Sequence, residues 1–310
     1  MSAIAALKLP LRMRLRAWWD GYDAAALSAR MSARQADDTG PVDIPFLPEL
    51  PLAETDDTIV AKAVPDWDAA RLTAAQLVWG KSSIAPKGEA RLRSLALEFG
   101  LSKASSIVHL GADLGGTALM LQRGIGCRVL PADTVDTFVA ASGQRVTLLG
   151  QNDRPLADDV DIMLVDHFAE RGEPLVRILR TQGRGLGKTG RLVIRALVKQ
   201  SGSRRDDALL AWMESEPIKP RLRSADELQR IVQEAGLVLN ASRNASEAYV
   251  DEIETAWRGA VDNVRTLHGR AGAAAIGDML LSEGERWAAR AALIADGTLC
   301  YREVIASRRN

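Results

Sequence analysis

From residue 105 onward, short apolar runs alternate with amphipathic stretches, and that alternation sets the expected fold. Ile107-Val108 reads as a buried strand, 117–122 carries helix formers, and 127–131 reads as a second strand ending beside Asp133. Further strands are expected at 145–149, 161–165, 191–196, 237–241 and 299–306, with helices near 134–141 and 173–180. Ser224, with Glu227 three residues on, has the capping-box pattern for a helix running to Ala235 and ended by Gly236. Residues 246–270 and 280–296 read as long helices separated by the Ala/Gly-rich 269–277. Repeated strand–helix alternation with short apolar strands implies an α/β fold, a parallel sheet covered by helices on both faces.

The first hundred residues follow a different pattern. Residues 8–31 look helical after Pro10, with Leu11, Leu15, Trp18, Trp19 and Tyr22 on one face and Arg12, Arg14 and Arg16 around it. Such a face docks on its own protein or touches a membrane surface through 8–22. Residues 36–64 are rich in Pro, Asp and Thr and read as an extended linker. Helix returns over 69–77 and 89–99, on either side of an irregular stretch from Trp79-Gly80 through Pro86. The expected division is an amphipathic helix at 1–35, a linker at 36–66 and an α/β domain at 67–310 with its core at 105–306. Residues 201–220 read as a charged loop with a short helix.

Composition narrows the function classes. The 310 residues are 47% hydrophobic and 26% charged, ordinary for a soluble globular protein. Lys plus Arg and Asp plus Glu both count 40, a balance that argues against a dedicated nucleic-acid binder. Cys127 and Cys300 stand far apart, and His109, His167 and His268 show no ligand spacing, so neither a disulfide framework nor a metal centre is expected. A reduced, cytoplasmic setting fits. No apolar run approaches transmembrane length, and the opening residues place their apolar run before the basic ones, unlike a signal peptide.

The chemistry concentrates at 105–133, where strand, glycine turn, helix, strand and acid follow one another. Gly111, Gly115 and Gly116 let the backbone approach a ligand, and the following helix N-terminus offers unpaired N–H groups. Asp133, at the tip of the second strand, is placed to accept both hydroxyls of a ribose. The dinucleotide G-x-G-x-x-G spacing is absent.

With these elements in order, 105–306 resembles the class I S-adenosylmethionine-dependent methyltransferases, and most nearly their phosphoethanolamine and glycine/sarcosine N-methyltransferase branch. The residues that carry this are IVHLGADLGG at 107–116, RVLPADTVDTF at 128–138 and GKTGRLVI at 187–194. Upstream, Trp79-Gly80 through Pro86-Lys87-Gly88-Glu89 resembles a W-G-E-G-F-x-x-P-G-G segment; downstream, SADELQRIVQEAG at 224–236 resembles the helix after the fifth strand.

The resemblance implies a Rossmann-like sheet, mostly parallel with its last strand antiparallel, preceded by an N-terminal helical extension that forms part of a lid. It implies S-adenosylmethionine as cofactor and a small-molecule methyl acceptor, with N-methylation as the expected reaction. The cofactor's methionine end would lie over the turn, near His109, Gly111, Asp113, Gly115 and Gly116. Its ribose would lie at Asp133 and its adenine near Asn152 and Asp153. Asp166 and His167, at the end of the fourth strand, are the candidates to contact the acceptor and take its proton. Asp166-His167-Phe168-Ala169 is not the aromatic-Pro-Pro tetrapeptide of nucleic-acid methyltransferases.

Several departures accompany the likeness, Lys87 and Thr189 in place of family glycines among them. His109 stands where the family has an acid, and Asp113 replaces a turn glycine, adding bulk and negative charge near a cofactor carboxylate. Lys81, Ser82 and Ser83 replace the family's E-G-F. These changes motivate an alternative, a methyltransferase-fold protein without catalysis that serves as a binding or regulatory partner.

Overall fold

Ile107 and Val108 point to opposite faces of one strand, and each joins a different apolar core. That alternation organises the computed structural model, which describes residues 67–150, 154–200, 207–265, 267 and 272–309. The expected N-terminal helix and linker, Asn152, Asp153 and 201–206 lie outside the described residues.

The sheet has eight strands: β1 (Ser106–Leu110), β2 (Arg128–Asp133), β3 (Thr147–Leu148), β4 (Val160–Asp166), β5 (Leu186–Lys199), β6 (Arg223–Ser224), β7 (Leu237–Asn244) and β8 (Leu299–Arg308). Their spatial order is β3-β2-β1-β4-β5-β8-β7, with β6 pairing to the end of β5. All neighbours are parallel except at β8, which runs antiparallel to both β5 and β7. The expected single reversed strand is therefore present.

Helices α1 (Ala69–Trp79), α2 (Glu89–Glu98), α3 (Gly116–Gly124), α4 (Asp136–Ala141), α5 (Leu175–Gly183), α6 (Asp207–Ser215), α7 (Ala225–Glu234), α8 (Ser246–Arg265) and α9 (Ala273–Ala295) surround the sheet. On one face, Leu175, Ile178 and Leu179 of α5 and Leu228, Ile231 and Val232 of α7 pack on Val108, Met163 and Leu192. On the other, Leu92 and Leu95 of α2 and Leu121 of α3 pack on Ile107, Leu164 and Val193. A third core joins α1, α6, α8 and α9 to Leu197, Leu299 and Tyr301 at the ends of β5 and β8. Trp212, Trp257 and Trp287 are fully buried there. Each such ring withdraws roughly 150–250 Å² from water, about 4–6 kcal/mol at ~25 cal/mol/Å² before the cost of ordering it.

The predicted helix cap is in place, since the Ser224 hydroxyl accepts the Glu227 N–H at 3.1 Å. Some boundaries differ from expectation, each for a visible reason. The stretch 187–190, expected as a turn, belongs to β5: pairing jumps from Val160↔Leu186 to Ile162↔Arg191, so the extra residues form a bulge within a continuous strand. Helix α9 begins at Ala273 rather than 280, because three consecutive alanines there favour helix. Strand β3 keeps only two residues of the five expected, and the two-residue β6 has no sequence signal of its own.

Candidate functional site

The ends of β1, β2, β4 and β5 meet beneath α1, α8 and α9, and charged side chains gather there. Gly111 ends β1 with φ +74°, and a Cβ on it would lie 2.1 Å from the Asp166 carbonyl oxygen. Only glycine lets the turn sit this close to β4. Asp113 in the same turn and His167 after β4 both hold left-handed backbone at φ 50°, a costly conformation for residues with a Cβ.

Two ion-paired clusters fill the space. In the first, the Asp133 carboxylate, 0% exposed, accepts three hydrogen bonds. Its Oδ1 accepts from the Val135 N–H at 3.0 Å and from Arg171 Nη1 at 2.7 Å, and its Oδ2 accepts from the Asp113 N–H at 2.9 Å. Arg171 also donates through Nη2 to Asp113 Oδ1 at 2.5 Å, so one guanidinium bridges two carboxylates. Burial opposes the charge on Arg171, but Asp133 and Asp113 outweigh it and hold the arginine firmly protonated. Burial pushes the Asp113 carboxyl up, and Asp133 adds to that, against the pull of Arg171.

In the second cluster, Arg195 of β5 donates from Nε to Asp166 Oδ1 at 2.6 Å and from Nη2 to Oδ2. His109 Nε2 lies 3.2 Å from the same Oδ2, and Arg195 Nη2 also reaches the Lys87 carbonyl at 3.1 Å. Burial raises the Asp166 carboxyl, but Arg195 and His109 overcome it and leave the group well below the usual carboxylate range. An acid held this firmly ionised is a poor proton acceptor.

His167 is held beside the clusters. Its Nδ1 lies 2.8 Å from Glu170 Oε1, which assigns the ring proton to Nδ1, and Glu170 Oε2 accepts the Leu197 N–H at 2.6 Å. Its ring packs beside the stacked pair Tyr249–Tyr301, whose centroids are 3.9 Å apart.

Little room is left. Gly115 caps α3 in left-handed conformation, and a Cβ on Gly116 would meet Ser83 Oγ at 2.0 Å and the Ser82 carbonyl at 2.5 Å. The 82–83 segment therefore lies directly on the N-terminus of α3. Between Ser83, His109, Gly116 and Asp166 the cavity measures about 10 Å³, roughly the room one water needs.

Asp113 and His167 also wall a larger cavity of about 80 Å³, lined by Trp67, Phe138, Trp212 and Trp287 among others. The chain's own arginines lie over these rings: Arg290 is 4.2 Å from the Trp287 centroid, Arg71 5.4 Å from that of Trp67, and Arg171 5.6 Å from that of Phe138. Arg286 and Arg290 are in turn held by Glu216 at 2.6 Å each.

No family model matches the chain, and no curated protein matches it. Solved structures do. Phosphoethanolamine N-methyltransferase 2 of Haemonchus contortus, in complex with phosphomonomethylethanolamine and S-adenosylhomocysteine, superposes with a TM-score of 0.63 at 14% identity, over 77% of this chain and 57% of that one. The chain thus spans under two thirds of that protein. The same enzyme in complex with S-adenosyl-L-methionine gives 0.62 at 15% identity, over 79% and 58%. Cyclopropane synthase MmaA2 of Mycobacterium tuberculosis gives 0.58 at 12% identity, over 82% of this chain and 97% of that one.

The fold is that of the class I methyltransferases.

Within the methyltransferase fold, the residues expected around a cofactor come together: His109, Gly111, Asp113, Gly115, Gly116 and Asp133 surround the turn, with Asp166 and His167 facing them across it. Their side-chain partners are each other, Arg171, Arg195 and Glu170, with the Val135 N–H also on Asp133. Within this arrangement Asp133 Oδ1 accepts two hydrogen bonds and Oδ2 one, the 82–83 segment lies on the α3 N-terminus, and the gap between the turn and β4 measures about 10 Å³. The sequence reading passed over Arg171, Arg195 and Glu170, while Ser83 stood out only as a departure from E-G-F. Arg195 had a signal, a lone charge inside the apolar run LVIRALV that needs a buried partner. Arg171, in a polar loop, had none.

Proposed function

We propose that this chain is a methyltransferase-fold protein whose cofactor cleft is closed by its own ion pairs, and that it works as a binding or regulatory partner rather than by transferring a methyl group. One observation carries this: the space between the glycine turn, β1 and β4 is about 10 Å³, while the Asp166 carboxylate facing it is held by Arg195 and His109. A cofactor tail there would have to displace Arg195 from Asp166 and lift the Ser82-Ser83 segment from α3. Breaking a buried pair of this kind costs about 3–5 kcal/mol, comparable to a large part of a typical cofactor's binding energy.

A second proposal, a soluble S-adenosylmethionine-dependent methyltransferase acting on a small molecule by N-methylation, is favoured by Asp133, which keeps an acid at the tip of β2. Calorimetric titration of the full chain with S-adenosylmethionine separates the two. The closed cleft predicts no saturable heat up to millimolar cofactor. Stoichiometric binding well below that concentration would support the enzyme and sink the first proposal.

A further inference from the structure

We infer that the cavity between α5, β6 and α7 binds the phosphate group of a small phosphorylated molecule, held by Arg221 and Arg223. The cavity shares no lining residue with the gap beside the glycine turn, so the inference stands whether or not the cofactor cleft is closed.

The reason lies in how this protein treats its buried cations. Among the described residues six arginines are buried: Arg71, Arg171, Arg195, Arg223, Arg286 and Arg290. Five of them hydrogen-bond a carboxylate: Arg71 and Arg286 reach Glu283, Arg290 reaches Glu216, Arg171 reaches Asp133 and Asp113, and Arg195 reaches Asp166. Arg223 does not. Its Nη1 and Nη2 donate to the Ala169 and Glu173 carbonyls, the second at 3.4 Å. The one carboxylate oxygen within 4 Å, Glu227 Oε1, stays 3.9 Å from Nε, beyond hydrogen-bond reach. A buried charge is costly unless an opposite charge is paired with it. Burial lowers Arg223 from its ordinary value and Arg221 beside it lowers it further, against the pull of Glu227 and Glu170. In Arg171, Arg195, Arg286 and Arg290 the paired acids outweigh burial.

Arg223 faces a cavity of about 220 Å³, room for roughly a dozen or more waters. Arg177, Arg221 and Arg230 share its wall with Glu173, Glu227 and Glu234. Two of these acids are engaged: Glu173 accepts from the Thr134 hydroxyl at 3.0 Å, and Glu234 lies 3.7 Å from Arg230. Arg221 is exposed and its side chain makes no hydrogen bond or ion pair among the described residues. Two neighbouring guanidinium groups thus have a single, loosely placed carboxylate between them. A phosphate monoester brings three acceptor oxygens and about two negative charges at pH 7, enough to serve both groups, whereas a carboxylate brings two oxygens and one charge. Pro174, Val176 and Ile231 give the cavity an apolar wall for the group the phosphate is attached to.

The test is thermal unfolding of the full chain in propyl phosphate and in inorganic phosphate, each at low millimolar concentration against chloride at matched ionic strength. A midpoint rise of about 3 °C is expected at propyl phosphate tenfold above its Kd, and a smaller rise at the same concentration of inorganic phosphate. Arg221→Gln changes an exposed side chain and leaves the fold intact, and it should raise the Kd about tenfold or more by removing one charged hydrogen-bond donor. Arg223→Gln, read against its own midpoint in chloride, should abolish the response.

No rise above the chloride control in the unsubstituted protein overturns the inference. It is overturned equally by a rise that Arg221→Gln leaves unchanged, which would put the anion elsewhere. A response to inorganic phosphate with none to propyl phosphate would mark an ion site only and would overturn the phosphorylated-molecule assignment. Binding of S-adenosylmethionine would count against the closed cleft alone, because that ligand is read in a separate titration and at a separate place in the fold.

Discussion

Arg195→Met is the sharpest probe of the buried pair at the end of β4. Arg195 and Asp166 have side chains only 4% and 7% exposed, and the substitution removes two hydrogen bonds to the carboxylate and one to the Lys87 carbonyl. Among the described residues, His109 remains as the side-chain partner of Asp166. Removing one member of a buried pair costs about 3–5 kcal/mol, because the other charge stays buried without its partner. For a domain of ~240 residues the unfolding entropy is about 0.5 kcal/mol/K, so the midpoint should fall by roughly 6–10 °C.

The pH dependence gives a second readout. In the unsubstituted protein Asp166 lies below its unfolded value, so its contribution is present above about pH 4 and is lost as pH falls. Without Arg195 the carboxyl rises, its buried charge is a penalty at neutral pH, and protonation relieves that penalty. The deficit between the two proteins should therefore shrink from pH 7 towards pH 4. Differential scanning calorimetry across that range is the assay. A loss under about 2 °C, constant with pH, would refute the claim that this pair holds the end of β4.

Two further predictions rest on the third core. Glu283, 0% exposed, accepts from Arg71 at 2.8 Å, from Arg286 and from the Trp287 ring N–H at 3.3 Å, tying α1 to α9. Glu283→Gln should cost about 3 kcal/mol in urea unfolding, and a loss under 1 kcal/mol would contradict that tie. Burial raises Glu216 and Glu283, but the arginines around them prevail and hold both low, as with Asp166, so their stabilisation is present above the unfolded value near 4 and lost below it. The urea midpoint should stay nearly flat between pH 7 and 5 and fall below about pH 4. A midpoint that rises steadily to pH 3 would show that these acids are not paired as described.

The sheet was readable because its signal is local. Ile107-Val108 and 191–196 are short apolar runs, and Ser224 with Glu227 marks a helix start within four residues. The acid at the tip of β2 was readable for the same reason. What fills the site was not. Arg171 lies 38 residues from Asp133 and 58 from Asp113, and Arg195 lies 29 from Asp166. Nothing in a loop arginine's neighbours in sequence says which acids it will reach. His109 and Asp113 did mark the altered turn, but their consequence depends on the distant arginines.

The proposed closure of this fold's cofactor cleft from within has a direct test. Isothermal titration of the full chain with S-adenosylmethionine tests it most directly. No saturable binding is expected at millimolar cofactor, whereas a stoichiometric isotherm with a Kd in the micromolar range would contradict the closure.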